Sequence, residues 1–317
     1  MGAAERERYG SMDREATGAA PRTPLPAFLP VAFVGAGSMA RALVGGLLAA
    51  GFAGPADVRV TNRSDRERLR SMAETFKVRT YRGGARGRAA TLRGARVVVL
   101  ATKPQDAPVA LDQCREVLET LGERPLVISV AAGLSTRAVE DRLPPGTPVV
   151  RAMPNTSCQV GRSATALAGG RWAAESDLEA ARLLFGSVGF VVKVPEEQMD
   201  AVTGLSGSGP AYIYLMLEAM TEAGASLGLP PDLAYRLALE TLRGAVSTAL
   251  LTSESPAELK RRVTSPGGTT MAGLAVLEES GFKRAVIEAV RRASERSAQL
   301  AAHGRTSGYR AEGDRPA

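Results

Sequence analysis

From residue 31 onward, short runs of β-branched and aliphatic residues alternate with segments of helical periodicity. Runs bounded by glycine-containing or polar turns predict strands, and apolar residues spaced three and four apart predict amphipathic helices. The predicted strands are residues 31–34, 57–61, 77–81, 96–101, 126–130, 148–153, 163–168 and 190–194. Strands that alternate with helices in this way predict a parallel, doubly wound α/β sheet.

The pattern changes after residue 195, where the predicted strands end. The predicted helices that follow are residues 210–229, 231–251, 256–263, 269–280 and 282–301. The first of them is apolar on nearly all sides, with six consecutive apolar or aromatic residues from Tyr212 to Leu217. Such a helix has to be covered on all sides. The other helices of the chain are one candidate cover. A second copy of the chain is the simpler one, so we expect an all-helical dimerisation domain in a homodimer.

Both ends of the chain lack apolar periodicity. Residues 1–30 and 304–317 mix charged residues with Gly, Ala and Pro, and we expect them to be disordered. The start matches neither a signal peptide nor a transit peptide, and no apolar run approaches the roughly 18 residues of a membrane span. The two predicted domains are therefore residues 31–195 and 196–303.

Composition and charge narrow the classes of function. The net charge is +7, yet aromatic residues make up only 4% and the arginines are interspersed with acids. This pattern favours a small anionic substrate over nucleic acid. The only histidine is His303, so histidine acid–base catalysis, a histidine-activated nucleophile and a histidine zinc site are close to excluded. With only two cysteines we predict no metal site, no disulfide framework and a cytoplasmic location.

The first glycine cluster, "FVGAGSMA", follows the first predicted strand and opens a helix. Gly35, Gly37 and Ala40 match the G-x-G-x-x-G/A pattern of Rossmann-type domains. The glycines permit a tight turn and a close approach to a diphosphate, which the helix N-terminus then binds. The predicted cofactor-binding residues here are Val34, Gly35, Ala36, Gly37, Ser38 and Met39.

The end of the second strand, "VRVTNRSDRERL", indicates which dinucleotide is bound. NAD sites have an Asp or Glu there, which accepts a hydrogen bond from the ribose 2′-hydroxyl. This chain has Asn62 and then Arg63. The neutral Asn62 removes the charge repulsion that an acid would exert on a 2′-phosphate, and Arg63 can donate two hydrogen bonds to that phosphate. Ser64 is a candidate third donor and the expected cap of the next helix. We therefore predict NADPH (NADP+), with NADH as the alternative cofactor.

Further cofactor contacts are expected after the fourth and fifth strands. Ligands of such sheets lie beyond the carboxyl ends of the strands. The segments "ATKPQ" and "SVAAGLS" supply small residues against which a nicotinamide can lie, and "MPNTS" ends the sixth strand at the same edge. The predicted contacts are Ala101, Thr102, Lys103, Pro104, Ala131, Ala132 and Gly133.

A second glycine cluster, "VTSPGGTTMAGL", lies within the helical region. A helix starts there, either with Ser265 as its cap or at the Thr269–Thr270 pair. In both cases several backbone N–H groups at a positive helix end face the approaching ligand. Because the dinucleotide phosphates already have a site, we predict that this helix end binds a small carboxylate ligand.

These motifs together resemble the pyrroline-5-carboxylate reductase family. "VTGLSGSGPAY" and "LKRRVTSPGGTTMAGLAVLE" are similar to two characteristic motifs of its helical domain, and "FVGAGSMA", "ATKP", "VAAG" and "MPN" match its cofactor domain in order. The resemblance covers about residues 31–302. It implies an NAD(P)H-dependent imine oxidoreductase for the last step of proline biosynthesis, with hydride transfer from NADPH to the C=N carbon of 1-pyrroline-5-carboxylate. It also implies a helical domain that interlocks in a homodimer, often assembled into decamers.

The resemblance also implies roles for the second glycine cluster. The substrate carboxylate would be held by Ser265, Gly267, Gly268, Thr269 and Thr270. Thr270 would lie beside the ring nitrogen as the catalytic residue, and because a hydroxyl is a weak acid we expect it to relay a proton from water. The chain departs from the family pattern at Arg88, where many members carry an Asn that touches the cofactor. This difference affects that cofactor contact but not the class of enzyme that the resemblance implies.

Two other functions share parts of this pattern. A β-hydroxyacid dehydrogenase has the same plan, but the lysine it needs after its glycine-rich helix start is missing from "GSGPAYIYL". A dinucleotide-binding sensor without turnover has no need of a second anion site. Oxidation of NADPH by added substrate separates the sensor from the enzyme.

Overall fold

The computed structural model describes residues 28–252 and 254–306, with the backbone alone for 301–306. This part of the chain divides into two compact units, one of residues 28–207 with 294–306 and one of residues 208–293. We refer to them as the sheet unit and the helical unit. The predicted disorder of residues 1–27 and 307–317 falls outside the described residues. Residues 304–306 were also predicted to be disordered, but they form the end of the last helix, Phe282–Thr306.

Over the described residues, the sheet unit contains one sheet of eight strands in the order β3-β2-β1-β4-β5-β6-β7-β8. The strands are β1 (Val31–Val34), β2 (Val58–Asn62), β3 (Arg79–Arg82), β4 (Val97–Leu100), β5 (Leu126–Ser129), β6 (Val149–Met153), β7 (Ser163–Gly169) and β8 (Gly189–Lys193). The pairs among the first six strands are parallel. The predicted Rossmann-type doubly wound fold, with helices after it, is confirmed.

The last two strands extend the sheet, as predicted, but β7 pairs antiparallel with β6. Only residues 154–162 connect these two strands, and a parallel crossover needs about a dozen residues or more. The short connection folds into a 3₁₀ turn, Thr156–Val160. β8 then pairs parallel with β7 after a helix.

Helices cover both faces of the sheet. They are α1 (Ser38–Ala49), α2 (Arg66–Phe76), α3 (Ala85–Leu92), α4 (Ala107–Leu121), α5 (Thr136–Glu140) and α6 (Glu175–Gly186). Val31 and Phe33 of β1 pack into the core that contains α1, α2 and α6. Ala32 and Val34 pack into the core that contains α3, α4 and α5. Because alternate side chains enter separate cores, the strand sequence is apolar throughout rather than alternating.

The described chain begins inside the first core. Phe28 is 3% exposed and packs with the apolar residues below β1. The carbonyl of Pro30 accepts a hydrogen bond of 2.9 Å from the amide of Arg96. Residues 28–30 therefore belong to the sheet unit although the predicted leader extends to residue 30, because an aromatic side chain here finds apolar partners.

A buried ion-pair cluster joins β6 to the segment after β8. Arg151 is 3% exposed, and its guanidinium contacts Glu196 at 2.8 Å and Asp200 at 3.4 Å. Glu196 opens a 3₁₀ turn, Glu196–Gln198, and Asp200 lies in α7 (Met199–Val202). The hydroxyl of Ser297 donates a hydrogen bond of 2.7 Å to Asp200. The cluster thus ties residues 294–306 to the sheet unit.

The helical unit has few buried side chains of its own. Its helices are α8 (Gly209–Ser226), α9 (Pro231–Thr252), α10 (Pro256–Arg262), α11 (Thr269–Glu279) and the first half of α12 (Phe282–Thr306). α8 and α9 pack closely where a Cβ at Gly224 would lie 3.0 Å from that of Ala234. Among the described residues of this unit, Ala234 and Ala238 are the buried apolar ones. Its larger apolar side chains are mostly exposed, as in α8, where Leu215 is 66% exposed.

Candidate functional site

The ends of β1, β2 and β4 meet at the carboxyl edge of the sheet, where the first glycine cluster begins. The amide of Gly35 donates a hydrogen bond of 2.8 Å to the carbonyl of Thr61 in β2. The amide of Ala101 donates one of 2.9 Å to the carbonyl of Val34, at the end of β1. The register therefore places the glycine turn between its two neighbouring strands, where doubly wound sheets bind ligands.

Gly35 occupies a position that no other residue can take without strain. Its φ is +112°, outside the range of residues with a side chain. A Cβ there would overlap the carbonyl oxygen of Ala101 and lie 2.7 Å from its carbonyl carbon. The first glycine of the motif is thus required by both the turn and the adjacent strand.

α1 starts at Ser38 with an N-terminus that no side chain caps. Its N-cap is Gly37, in an extended conformation with φ −76° and ψ −176°. Ala36 and Ala40 are buried, so the helix start packs closely against the sheet. The amides of the first turn are therefore available to bind an anion.

Met39 directs its side chain into the protein. The thiol of Cys158, in the turn after β6, donates a weak hydrogen bond to the Met39 sulfur at 3.6 Å. The side chain of this predicted cofactor residue therefore packs α1 against the Thr156–Val160 turn. Its backbone amide lies in the first turn of α1 with that of Ser38.

The end of β2 presents Arg63 to solvent. Its Nη2 atom lies 3.2 Å from Oδ1 of Asp106, in the 3₁₀ turn after β4. The carbonyl of Asn62 accepts a hydrogen bond from the amide of Gly83. The cap of α2 is Asp65 and not Ser64: its carboxylate accepts a hydrogen bond of 2.9 Å from the amide of Arg68. The aspartate reaches that amide from its N-cap position, one residue later than predicted.

Thr102 has a buried hydroxyl without a partner at the same edge. Its Oγ1 atom has no hydrogen-bond partner among the described residues. A Cβ at Gly35 would come within 3.2 Å of its amide nitrogen, so Thr102 adjoins the glycine turn. Lys103 is exposed, and Pro104 opens the Pro104–Asp106 turn.

The segment after β5 adds small residues next to β4. The amide of Val130 donates a hydrogen bond of 3.2 Å to the carbonyl of Leu100. Ala131 and Gly133 are buried, Ala132 is half-buried, and Gly133 has a φ of +72°. The structure therefore gathers the predicted cofactor residues of four strands at one edge of the sheet unit.

The second glycine cluster forms an exposed turn in the helical unit. Gly267 has a φ of +69°, and the amide of Gly268 donates a hydrogen bond of 3.1 Å to the carbonyl of Ser265. α11 starts at Thr269, the second of the two predicted starts, and its N-cap Gly268 provides no side-chain cap. Thr269 and Thr270 thus lie in an uncapped, exposed first turn.

Three structural features of the sheet unit have no counterpart in the sequence reasoning. Residues Thr203–Gly207, within the motif "VTGLSGSGPAY", form a π-helical turn, a conformation frequent at functional sites. The side-chain amide of Asn155, from "MPN", donates a hydrogen bond of 3.0 Å to the carbonyl of Ser206 in that turn. The other two features are the carboxylate of Asp106 facing Arg63, and the position of Arg68 near Gly37. No sequence signal indicated the position of Arg68 near Gly37, because the two residues lie in separate segments of the chain.

The cysteines are poorly suited to nucleophilic chemistry. Burial raises the pKa of the Cys114 thiol to about 12, with a small opposing effect of the Arg88 charge. Burial likewise raises the pKa of Cys158. Within the described part of the chain, no group of three His, Cys, Asp or Glu side chains could hold a metal ion. Nor does that part contain a helix long and apolar enough to cross a membrane.

Two family profiles match the chain. The profile described as "Pyrroline-5-carboxylate reductase dimerisation" matches residues 196–300. The profile described as "NADP oxidoreductase coenzyme F420-dependent" matches residues 30–133. The first therefore covers the helical region and the second the nucleotide-binding edge of the sheet.

Relatives and solved structures agree with the first profile. The chain is 38% identical to pyrroline-5-carboxylate reductase 2 of Bacillus subtilis over 85% of its own length and 94% of the relative. It resembles the solved pyrroline-5-carboxylate reductase of Coxiella burnetii with a TM-score of 0.78 and 36% identity, covering 86% of this chain and 98% of that one. The chain also resembles the pyrroline carboxylate reductase of Plasmodium falciparum, solved with NADP bound. The TM-score is 0.76 and the identity 28%, covering 87% of this chain and 99% of that one. The chain belongs to the pyrroline-5-carboxylate reductase family.

Proposed function

We propose that this protein catalyses the NADPH-dependent reduction of 1-pyrroline-5-carboxylate to L-proline, by hydride transfer to the imine carbon. The observation that carries the proposal is the glycine turn of Gly35, held between the ends of β2 and β4 in a chain of this family. A protonated cyclic imine is already electrophilic, so its reduction needs positioning and a proton near nitrogen but no histidine or metal.

The carboxyl edge of the sheet fits a dinucleotide. The uncapped start of α1 suits a diphosphate, and the unpartnered hydroxyl of Thr102 suits a polar group of the cofactor. The backbone of Val34–Met39 would hold the diphosphate, while residues 101–104 and 131–133 would line the nicotinamide end. When bound, NADPH supplies the hydride.

The 2′-phosphate is assigned to Arg63 and Asn62. Arg63 is exposed at the end of β2, and Asn62 carries no charge that would repel a phosphate. The contact of Arg63 with Asp106 joins two exposed side chains, so it is worth at most about 1 kcal/mol and a phosphate can displace it. We therefore assign NADPH as the preferred cofactor, with NADH as the alternative.

The turn of residues 265–270 is assigned to the substrate carboxylate. The positive φ of Gly267 and the uncapped start of α11 leave backbone N–H groups of Gly268, Thr269 and Thr270 at a positive helix end. Ser265 adds a hydroxyl beside Gly268. Thr270 is assigned as the residue that relays a proton from water to the ring nitrogen.

We further propose that the active protein is a homodimer built on the helical region, residues 196–303, with residues 31–195 as the dinucleotide-binding domain. Large apolar side chains are exposed on α8, α9, α11 and α12 of the helical unit, which favours a second copy as their cover. Decamers and a cytoplasmic location stay predictions, from the family resemblance and from composition.

The test is a steady-state assay in which oxidation of NADPH is followed at about 340 nm after addition of 1-pyrroline-5-carboxylate. We expect turnover with this imine and an at least several-fold lower KM for NADPH than for NADH. A sensor would bind NADPH without oxidising it. Binding without turnover in a folded, dimeric sample would therefore refute the enzymatic proposal.

Thr270→Val sharpens the assay because it keeps the size of the side chain and removes the hydroxyl. We expect kcat to fall by about a hundredfold, the lower range for a lost proton-transfer group, with NADPH affinity unchanged. Thr270→Ser should restore most of the rate. Thr248→Val, on exposed α9, is the matched control, since among the described residues the Thr248 hydroxyl donates a hydrogen bond to the carbonyl of Gly244 and to no other group. A wild-type rate in Thr270→Val would remove the residue from the mechanism.

A further inference from the structure

The glycine turn has a cationic neighbour that the motif does not contain. Nη1 of Arg68 lies 3.9 Å from the position that a Cβ would take at Gly37. Gly37 is the N-cap of α1, so the guanidinium lies beside the uncapped helix start. A helix N-terminus and a guanidinium at one place attract the same ligand, an anion.

Asp65 holds Arg68 in this position by two contacts. One carboxylate oxygen accepts a hydrogen bond of 2.9 Å from the backbone amide of Arg68. The other contacts its Nε atom at 2.9 Å. Because Asp65 engages only Nε, the Nη1 and Nη2 groups remain without an acceptor among the described residues. The Arg68 side chain is therefore held at its Nε atom, while its terminal N–H groups, which lie near the glycine turn, remain available to a ligand.

The other arginines near this edge are engaged. Arg63 contacts Asp106 through its Nη2 atom. Arg41 of α1 donates hydrogen bonds to Ser71 and Thr75 and stacks on the ring of Phe76. Among these three guanidinium groups, Arg68 is the one in which both terminal nitrogens lack a protein acceptor in the described structure.

We propose that Arg68 binds the diphosphate of the cofactor, together with the amides at the start of α1. This inference rests on the proposed function, because it assigns one more residue to the same cofactor site. Arg68 and Arg63 then divide the anionic groups of NADPH. Arg63 contacts the 2′-phosphate, which NADH lacks, and Arg68 contacts the diphosphate, which both cofactors have.

This division is tested by binding rather than by turnover. The Kd values of NADPH and NADH are measured by cofactor fluorescence for the wild type, Arg68→Gln and Arg63→Gln. We expect Arg68→Gln to weaken both cofactors by about tenfold, as for a lost charge-assisted contact, and to keep their ratio unchanged. Arg63→Gln should weaken NADPH alone.

Two further variants control for indirect effects. Arg70→Gln removes a charge from the same helix, where Arg70 pairs with Glu74 in solvent, and should leave both Kd values unchanged. Arg68→Lys keeps the charge and should recover part of the affinity. Circular dichroism of each variant confirms that α2 is intact.

The outcomes separate this inference from the proposed function. A wild type that binds neither nucleotide overturns the cofactor assignment itself. If the wild type binds both nucleotides and Arg68→Gln binds them equally well, Arg68 does not contact the diphosphate. If Arg68→Gln weakens NADPH alone, Arg68 reads the 2′-phosphate, and the proposed division is wrong.

Discussion

The sheet unit and the helical unit bury their apolar residues in different ways. Strand residues such as Phe33 and Ile128 are fully buried within one chain, and two cores cover the two faces of the sheet. In the helical unit, Leu237 and Val246 of α9 are more than half exposed, and Ala234 and Ala238 are its buried apolar residues among those described. The described residues of the sheet unit bury their apolar side chains in two cores, whereas the helical unit exposes apolar surface of the kind that is typical of an interface.

This difference matches the two binding sites that we propose for the two units. A cofactor site of backbone amides and closely packed glycines needs a rigid frame, which the sheet unit supplies around Gly35. The Ser265–Thr270 turn lies instead in a unit whose helices expose large apolar side chains among the described residues. If a second copy covers those helices, the proposed substrate turn belongs to a unit that is stabilised by assembly, and activity depends on protein concentration.

The largest expected effect comes from a charge placed on this uncovered surface. Leu215→Glu would bury a carboxylate without a partner in the proposed dimer interface. We expect the association constant to fall by about a thousandfold, which corresponds to about 4 kcal/mol. Analytical ultracentrifugation across a concentration series measures the change.

Phe190 in the sheet unit provides the matched control. It lies on edge strand β8 and is 67% exposed, against 66% for Leu215. Phe190→Glu should leave the association constant unchanged. If both variants lose association equally, exposed apolar residues do not distinguish the two units. If both variants keep the wild-type association constant, there is no interface at α8.

A smaller effect is expected inside the sheet unit, at the buried ion-pair cluster. Arg151→Met removes the cation that Glu196 and Asp200 share, and it leaves two partly buried carboxylates without a counter-charge. Removing one partner of a buried pair costs about 3 kcal/mol or more. Urea unfolding measures the loss in the free energy of unfolding.

Arg182→Ala is the control for this variant, because Arg182 pairs with Glu179 in solvent and such pairs contribute at most about 1 kcal/mol. We expect Arg151→Met to be the more destabilising by at least about 2 kcal/mol. Equal stability of the two variants would show that the buried cluster does not stabilise the sheet unit.

The sequence predicted most of the sheet unit because its signals are local. Apolar runs mark the buried strands, and Gly35 and Gly37 follow the first strand directly, so the position of the turn could be predicted. The antiparallel pairing of β7 could not be read from its composition. It follows from the short connection after β6.

The site was less predictable where its contacts join distant segments. Asp106 faces Arg63 only because the segments that follow β2 and β4 meet beyond the end of β1, which lies between these two strands. Arg68 reaches Gly37 only because α2 packs beside α1. Neither contact has a periodicity or motif in the sequence. The roles predicted for the site residues, such as Arg63 and Thr270, stay predictions until the binding and rate measurements are made.

The smallest effect tests how completely the sheet unit excludes water. Cys114 in α4 is 3% exposed, and burial raises the pKa of its thiol from 9.0 to about 12. The folded state therefore holds this proton more tightly than the unfolded state. Its contribution to stability is fully present below about pH 9 and is lost as the pH rises toward 12.

Between pH 8 and pH 10 this group should lower the free energy of unfolding by about 1 kcal/mol, because the thiol ionises across this interval in the unfolded state but not in the folded state. Cys114→Ala removes the titrating group, so the difference in unfolding free energy between wild type and variant should shrink by that amount across the same interval. Cys158, whose pKa burial also raises, is present in both proteins and cancels. A difference that stays constant from pH 8 to pH 10 would mean that water reaches the Cys114 thiol, and that the core between β4 and α4 is less closed than its packing indicates.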